Sequence, residues 1–153
     1  MTNGTNDQIE EGMLARYVGD RLKGIHTFVH LRLGQPRGFS RDNPATRETR
    51  ALYLSTLPEA DLVTRTLDTA TIYEFTIWKP SAKLGQLQLY RDLLPETPGF
   101  EDIDAAAVKM VLVTGQNDGN ITRSANTLGI TVEYYLPPDI AAKVAARRGK
   151  GEA

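Results

Sequence analysis

The stretch from Ile72 to Tyr90 constrains the fold more than any other part of the chain. It reads IYEFTIWKPSAKLGQLQLY: polar and apolar residues alternate first, and after Pro80 the leucines recur at helical spacing. Alternation is the period of a β-strand, and proline interrupts a strand because it has no backbone N–H to donate. We therefore predict a strand that leads directly into an amphipathic helix, which Ser81 caps and which ends at Leu94.

Extended and helical patterns alternate along the rest of the chain, which is typical of an α/β protein. The turn at residues 67–70 predicts an antiparallel hairpin, whereas the strand-helix-strand unit over 108–136 predicts parallel strands, because such crossovers are right-handed. We expect a mixed sheet, with an antiparallel hairpin plus parallel strands, flanked by helices. The predicted strands are residues 27–33, 60–66, 71–78, 108–114 and 130–136, and the predicted helices are residues 9–22, 44–54, 81–94, 120–128 and a terminal helix from 138. In the first strand, Val29, Leu31 and Leu33 are predicted to face inward.

Length and composition describe one ordinary soluble domain. The 153 residues are 41% hydrophobic and 24% charged, which is enough for a substantial core. We place this domain at residues 9–146, between a flexible N-terminus (1–8) and a flexible basic tail (147–153). No apolar run approaches the ~20 residues of a membrane span, and the N-terminus lacks the pattern of a signal peptide. A cytoplasmic protein without membrane partners is expected.

Charge and residue types limit the cofactors and partners. The 18 basic and 19 acidic residues give a net charge of -1, so contact with nucleic acid would require a local basic patch. The chain has no cysteine and only two histidines, which argues against zinc sites built from cysteine or histidine. A metal would have to be bound by oxygen atoms, and this favours Mg²⁺ or Mn²⁺.

Two carboxylates in the predicted hairpin are candidates for such a site. Strand alternation puts Glu74 on one face, and Asp61 lies near it if the hairpin closes through the predicted turn. Together they can bind a divalent cation. The residue types leave a second interpretation open, in which both are edge-strand carboxylates that face solvent or pair with Lys79, Lys83 or Arg65.

Three polar residues of the predicted helix form one stripe. Lys83, Gln86 and Tyr90 are spaced at i, i+3 and i+7, so they are expected to face the two carboxylates. Amide and phenol groups also commonly satisfy buried backbone or cover a sheet, and for Gln86 and Tyr90 this alternative stays open.

Short segments of this stretch resemble the motifs of the PD-(D/E)XK nuclease superfamily. They are Ala60-Asp61, Tyr73-Glu74-Phe75-Thr76 and Gly85-Gln86-Leu87-Gln88-Leu89-Tyr90. The sequence looks closest to small proteins of bacteriophages and their bacterial hosts that carry this strand, then Trp-Lys/Arg-Pro and a Gly-Gln-Leu…Tyr helix. The resemblance covers most of residues 9–136. It implies a restriction-endonuclease-like fold in which Asp61 and Glu74 bind magnesium and the helix supplies Gln86 and Tyr90.

One motif residue departs from this pattern, because Thr76 stands where the superfamily has a lysine. That lysine helps to orient water and to stabilise charge, and threonine cannot carry the charge. Two nearby lysines are candidates for its replacement. Lys79 lies on the opposite strand face beside a proline, whereas Lys83 shares the helical stripe with Gln86 and can reach inward on its long side chain.

The altered motif leads to three functional hypotheses. The first is a catalytically degenerate nuclease-fold protein of bacteriophage type: a structural or binding module without a cofactor, with protein partners in an oligomer or in a virion head, neck or tail. The second is an active DNA nuclease that uses Mg²⁺ or Mn²⁺ on Asp61 and Glu74, with Lys83 as the displaced cation. The third is a DNA-binding module without chemistry.

Basic residues cluster at two places, residues 37–50 and 143–150. Arg47, Arg50, Arg147 and Arg148 are the candidates for contact with a phosphate backbone or with an acidic protein partner. Binding to phosphate would weaken as salt rises. Such clusters are also common on ordinary solvated surfaces.

Overall fold

A computed structural model describes residues 5–35 and 55–151, and the elements below belong to those residues. The helices are α1 (Asn6–Arg21), α2 (Pro80–Leu93), α3 (Gly119–Thr127) and α4 (Pro138–Gly151). The strands are β1 (Thr27–Arg32), β2 (Glu59–Arg65), β3 (Ala70–Thr76), β4 (Val108–Thr114) and β5 (Ile130–Tyr134). Two single-turn 3₁₀ helices, Leu94–Glu96 and Ala105–Ala107, lie between α2 and β4.

The five strands form one mixed sheet in the order β1-β2-β3-β4-β5. The pairs β1/β2 and β2/β3 are antiparallel, and the pairs β3/β4 and β4/β5 are parallel. The predicted mixed sheet, with an antiparallel hairpin followed by parallel strands, is therefore confirmed. Among the described residues, no helix is long and apolar enough to cross a membrane.

Helices cover the sheet on both faces, and each face has its own apolar core. One core packs α2 and α3 against the sheet through Leu84, Leu87 and Ala125. The other packs α1 and α4 against the opposite face, for example through Met13 and Val144. Strand β4 contributes to both cores, as its nearly continuous apolar sequence predicts for a central strand.

Helices α1 and α2 begin at other residues than predicted, and the residues at their N-termini explain the difference. Helix α1 begins at Asn6, because Thr5 is its N-cap and forms a capping box with Gln8. Helix α2 begins at Pro80, and Ser81 is its second residue and not its cap. Proline at the first helical position is favourable, because its missing N–H has no partner there in any case.

The chain also differs from the predictions in β1. Helix α4 extends to Gly151. Val29, predicted to face inward, is 48% exposed. Its neighbour His30 has a positive φ of 54°, which breaks the alternation and lets Leu31 pack against the same core as Phe28. The predicted helix at 44–54, with Arg47 and Arg50, lies outside the described residues.

Candidate active site

Asp61 and Glu74 meet where strands β2 and β3 stop pairing. The last paired residues of the ladder are Leu62 and Tyr73. Beyond them, the Asp61 N–H donates to Glu74 Oε2 at 2.9 Å, and the Phe75 N–H donates to Asp61 Oδ2 at 2.9 Å. Each carboxylate thus accepts a backbone hydrogen bond from the opposite strand, which holds the two side chains side by side.

Helix α2 brings Lys83 to this pair of carboxylates. Its Nζ lies 3.6 Å from Asp61 Oδ2 and 3.8 Å from Glu74 Oε1, and its side chain is 22% exposed. Lys79, the other candidate for a displaced cation, is exposed at the N-terminus of α2. The geometry selects Lys83 as the lysine that can act together with Asp61 and Glu74.

Glu74 is fully buried, and one of its oxygens has no hydrogen-bond partner. Glu74 Oε1 accepts no hydrogen bond within the described part of the protein. Burial in a low dielectric raises the pKa of Glu74, and the neighbouring Asp61 carboxylate raises it further, while Lys83 acts in the opposite direction. A buried carboxylate oxygen without a donor is costly, which makes Glu74 a candidate for binding a proton or a cation.

The charge of Lys83 is stabilised by its surroundings. Burial alone lowers the pKa of Lys83, but the carboxylates of Glu74, Asp61 and Glu10 outweigh burial and raise the pKa above its ordinary value. Burial also raises the pKa of Glu10, and the backbone N–H of Ile77 and the charge of Lys83 partly offset this rise. Lys83 therefore keeps its proton and provides a fixed positive charge at neutral pH.

The remaining predicted site residues fall in different places. Tyr90 is buried, and burial, followed by the negative charges of Glu74, Asp61 and Glu59, raises the pKa of its phenol to about 12. Gln86 is exposed on α2 and makes no hydrogen bond to either carboxylate. Arg147 and Arg148 are exposed near the end of α4, and Arg147 Nε donates to Asn6 Oδ1. Neither arginine lines the cavity beside Asp61.

A cavity of about 310 Å³ opens next to Asp61 and Lys83. One wall is a single face of α1, formed by Asp7, Glu10, Glu11 and Leu14. On the other wall His30 bridges two carboxylates, with Nε2 2.7 Å from Glu11 Oε1 and Nδ1 3.0 Å from Glu59 Oε1.

Sequence reasoning missed the contribution of α1 and of His30 to this site. The spacing of Asp7, Glu10 and Glu11 at i, i+3 and i+4 was the signal that these acids share one helical face. For His30 there was no such signal, because its role depends on the positive φ that turns it towards α1.

The donor atoms of this site fit a hard divalent cation. Asp61 and Glu74 offer carboxylate oxygens, and one of these oxygens, Glu74 Oε1, has no hydrogen-bond donor. Mg²⁺ is commonly bound by one or two carboxylates, with waters and substrate phosphates completing its shell. Within residues 5–35 and 55–151, no group of three or more His, Cys, Asp or Glu side chains could hold a metal ion. Asp61 and Glu74 are the two residues of this site that could hold such an ion.

The two carboxylates lie on β2 and β3 of the mixed five-stranded sheet, just beyond the last residue pair of the hairpin. The restriction-endonuclease-like fold that the motifs imply stays a prediction. Neither a protein-family model nor a curated protein matches the sequence. Three solved structures are similar to the chain at low sequence identity. A repair endonuclease from Pyrococcus abyssi is 15% identical, with a TM-score of 0.47 over 84% of this chain and 47% of that one.

Two further similar structures are an EndoMS–dsDNA2 complex and the protein VC1899 from Vibrio cholerae. The first is 16% identical, with a TM-score of 0.48 over 85% of this chain and 46% of that one. The second is 13% identical, with a TM-score of 0.46 over 94% of this chain and 32% of that one. The chain spans less than half the length of each of these three proteins.

Proposed function

We propose that the chain is a metal-dependent DNA nuclease in which Lys83 supplies the positive charge that Thr76 cannot. One observation carries this proposal: Lys83 Nζ lies within 3.6 Å of Asp61 Oδ2 and 3.8 Å of Glu74 Oε1. The second functional hypothesis from the sequence is thus the one that the geometry supports best.

Each residue of the site has a distinct task in such a reaction. Asp61 and Glu74 would hold Mg²⁺ or Mn²⁺, which polarises a bound phosphate and lowers the pKa of a coordinated water. Lys83 would supply its ammonium group to the negative charge that develops on the attacked phosphate, and a charge fixed in advance stabilises the transition state most effectively. Gln86 lies three residues further along α2 and is exposed, so a bound DNA strand can contact it.

Cleavage of supercoiled plasmid DNA with Mg²⁺ or Mn²⁺ tests the proposal. Lys83→Gln is expected to lower kcat by about 10²- to 10³-fold, the range for removing one preorganised charge-stabilising group. Lys79→Gln is the matched control. It removes an exposed lysine four residues before Lys83 and should leave cleavage unchanged. Equal rates for Lys83→Gln and the wild-type protein, with both folded by circular dichroism, would contradict the proposal.

A non-catalytic module of bacteriophage type is the second candidate, and the same ion cluster favours it in one respect. Lys83 lies within ion-pair distance of both Asp61 and Glu74, as it would in a purely structural ion cluster. If the wild-type protein does not cut DNA with either metal, this candidate is favoured. Salt-dependent retention on DNA that is lost in Arg147→Ala/Arg148→Ala would then indicate a DNA-binding module. Oligomers in sedimentation without DNA retention would indicate a protein assembly.

A further inference from the structure

Thr76, at the end of β3, has a buried hydroxyl with a defined partner. The residue is fully buried, and its Oγ1 accepts a hydrogen bond from the Lys79 N–H at 2.9 Å. This bond closes the turn between β3 and α2. Lys79 is the N-cap residue of α2, and the helix has no side-chain cap of its own, so Thr76 takes part in fixing where the helix starts.

Other elements hold the same turn from two sides. The side-chain amide of Gln116, which follows β4, donates to the Ile77 carbonyl, and the Gly115 N–H donates to the Thr76 carbonyl at 3.2 Å. From α1, Ile9 and Met13 belong to the same apolar core as Ile77. The turn is thus hydrogen-bonded to the residues after β4 and packs in the core that α1 lines.

The position of this turn determines where Lys83 lies. Lys83 is the fourth residue of α2, so a shift in the start of the helix displaces its side chain by a similar amount. Its Nζ is 3.6 Å and 3.8 Å from the two carboxylate oxygens, too far for a short hydrogen bond to hold it. The helix start therefore takes part, together with the ion pair, in placing the ammonium group.

We infer that Thr76 is a positioning residue, whose buried hydroxyl fixes the β3–α2 turn and thereby places the Lys83 ammonium group between Asp61 and Glu74. This inference rests on the proposed function. Thr76 thus has a positioning role, in addition to occupying the position where the superfamily has a lysine. A lysine at this position carries three donors and no acceptor, so it would leave the Lys79 N–H without a partner.

A double-mutant cycle with Thr76→Val and Lys83→Gln tests whether Thr76 acts through Lys83. Valine keeps the shape of threonine and removes only the hydroxyl. In the wild-type background, Thr76→Val should lower kcat about 10- to 100-fold with little change in KM, since a shift of 1 Å at a reacting group can cost 10²-fold. In the Lys83→Gln background, Thr76→Val should cause no further loss. A further loss of the same size in both backgrounds would overturn the inference, because it would mean a general structural role.

Two further variants sharpen the comparison. Thr76→Ser retains the hydroxyl and should keep kcat within about threefold of wild type, in line with a role that needs only this acceptor. Thr97→Val removes another buried threonine hydroxyl, which lies beyond the C-terminus of α2. This hydroxyl accepts a hydrogen bond of 2.8 Å from the Gly34 N–H. This control should lose stability but retain kcat.

Hydrogen exchange and crystal structures keep the inference testable if the wild-type protein proves inactive. The Lys79 amide should be protected from exchange in wild type and in Thr76→Ser, and at least tenfold less protected in Thr76→Val. In the crystal structure of Thr76→Val, Lys83 Nζ should lie away from Asp61 Oδ2, whereas Thr76→Ser should keep the wild-type contact. An unmoved Lys83 in Thr76→Val would overturn the positioning role, whether or not the protein cuts DNA.

Discussion

The side chains of Asp61 and Glu74 accept backbone hydrogen bonds from each other's strands at the point where the β2/β3 ladder ends. The Asp61 N–H donates to Glu74 Oε2, and the Phe75 N–H donates to Asp61 Oδ2, both at 2.9 Å, just beyond the last paired residues of β2 and β3. The two carboxylates therefore extend the hydrogen bonding between β2 and β3. A change at either position affects the stability of the hairpin as well as the charge of the site, and the two effects can be separated by the choice of substitution.

Asp61→Asn and Asp61→Ala are expected to differ in stability but not in activity. Asparagine keeps an oxygen that accepts from the Phe75 N–H, whereas alanine leaves that N–H without a partner, which costs about 1–3 kcal/mol. Both variants lack the charge of the ligand, so neither should cut DNA. Urea unfolding together with the plasmid assay measures both effects. Equal stabilities of the two variants would show that the side-chain hydrogen bond does not stabilise the hairpin.

The stability of the wild-type protein should fall as the pH rises above about 4.5, the ordinary pKa of a glutamate. Burial, followed by the Asp61 carboxylate, raises the pKa of Glu74 in the folded state. Above pH 4.5 the unfolded chain has lost this proton while the folded chain retains it, so rising pH favours unfolding by up to ~1.4 kcal/mol per pH unit. The loss ends once the pH has passed the pKa of the folded state.

Glu74→Gln should remove most of this pH dependence. Glutamine keeps an acceptor for the Asp61 N–H but cannot titrate, so the difference from wild type isolates the buried group. Urea unfolding between pH 4.5 and pH 8 is the measurement. Asp68→Asn, which changes an exposed acid in the hairpin turn, is the control and should keep the wild-type slope. A wild-type slope in Glu74→Gln would mean that Glu74 is already ionised in the folded protein.

The parts of the site that depend on local sequence patterns could be predicted from the sequence. Strand parity and the turn at residues 67–70 were enough to bring Asp61 near Glu74, and helical spacing selected Lys83 over Lys79. Each of these steps depends on local periodicity. Gln86 shares the stripe of Lys83 but is exposed, whereas Tyr90 on the same stripe is buried.

The parts that could not be predicted depend on contacts between distant segments. The acidic wall of the cavity comes from α1, about 50 residues before Asp61 in sequence, and only the packing of α1 on the sheet places Glu10 beside Lys83. The bridge from His30 to Glu11 and Glu59 requires a left-handed backbone at His30. Alternation predicts ordinary β geometry there, and this is why the orientation of Val29 was predicted wrongly.

His30 is expected to stabilise the fold more at pH 5.5 than at pH 8.5. Burial alone lowers the pKa of His30, but Glu11, Glu59 and Asp61 outweigh burial and raise it above its ordinary value of 6.5. The stabilisation is complete below pH 6.5 and is lost as the pH rises through the raised pKa of the folded state. Because 38% of the side chain is exposed, its size should be that of an exposed ion pair, ~0.2–1 kcal/mol.

His30→Asn tests this contribution with little backbone strain, because asparagine tolerates a positive φ better than most residues. Relative to wild type, the variant should lose stability at pH 5.5 and lose less at pH 8.5. His26→Gln, which removes a ring stacked on Phe28, serves as the control and should show no such difference between the two pH values. An equal loss at both pH values in His30→Asn would argue for a contribution from packing alone.

Lys83 and a divalent cation should compete for the same carboxylate oxygens. The ammonium group lies 3.6–3.8 Å from Asp61 Oδ2 and Glu74 Oε1, so a metal ion bound there has to overcome its positive charge. At 4 Å, two unit charges interact by about 1 kcal/mol in water and by about 4 kcal/mol at an effective dielectric constant of 20. Removing the ammonium group should therefore strengthen Mn²⁺ binding by roughly tenfold or more.

Calorimetric titration of Mn²⁺ into wild type, Lys83→Gln and Glu74→Gln measures this competition. Lys83→Gln should bind Mn²⁺ more tightly than wild type while it cuts DNA more slowly, and Glu74→Gln should bind it weakly or not at all. Tighter binding combined with slower cleavage would mean that Lys83 contributes to the reaction at the expense of metal affinity, since a purely structural lysine would give only the first effect. Lys79→Gln should match wild type in both measurements, because that lysine is exposed.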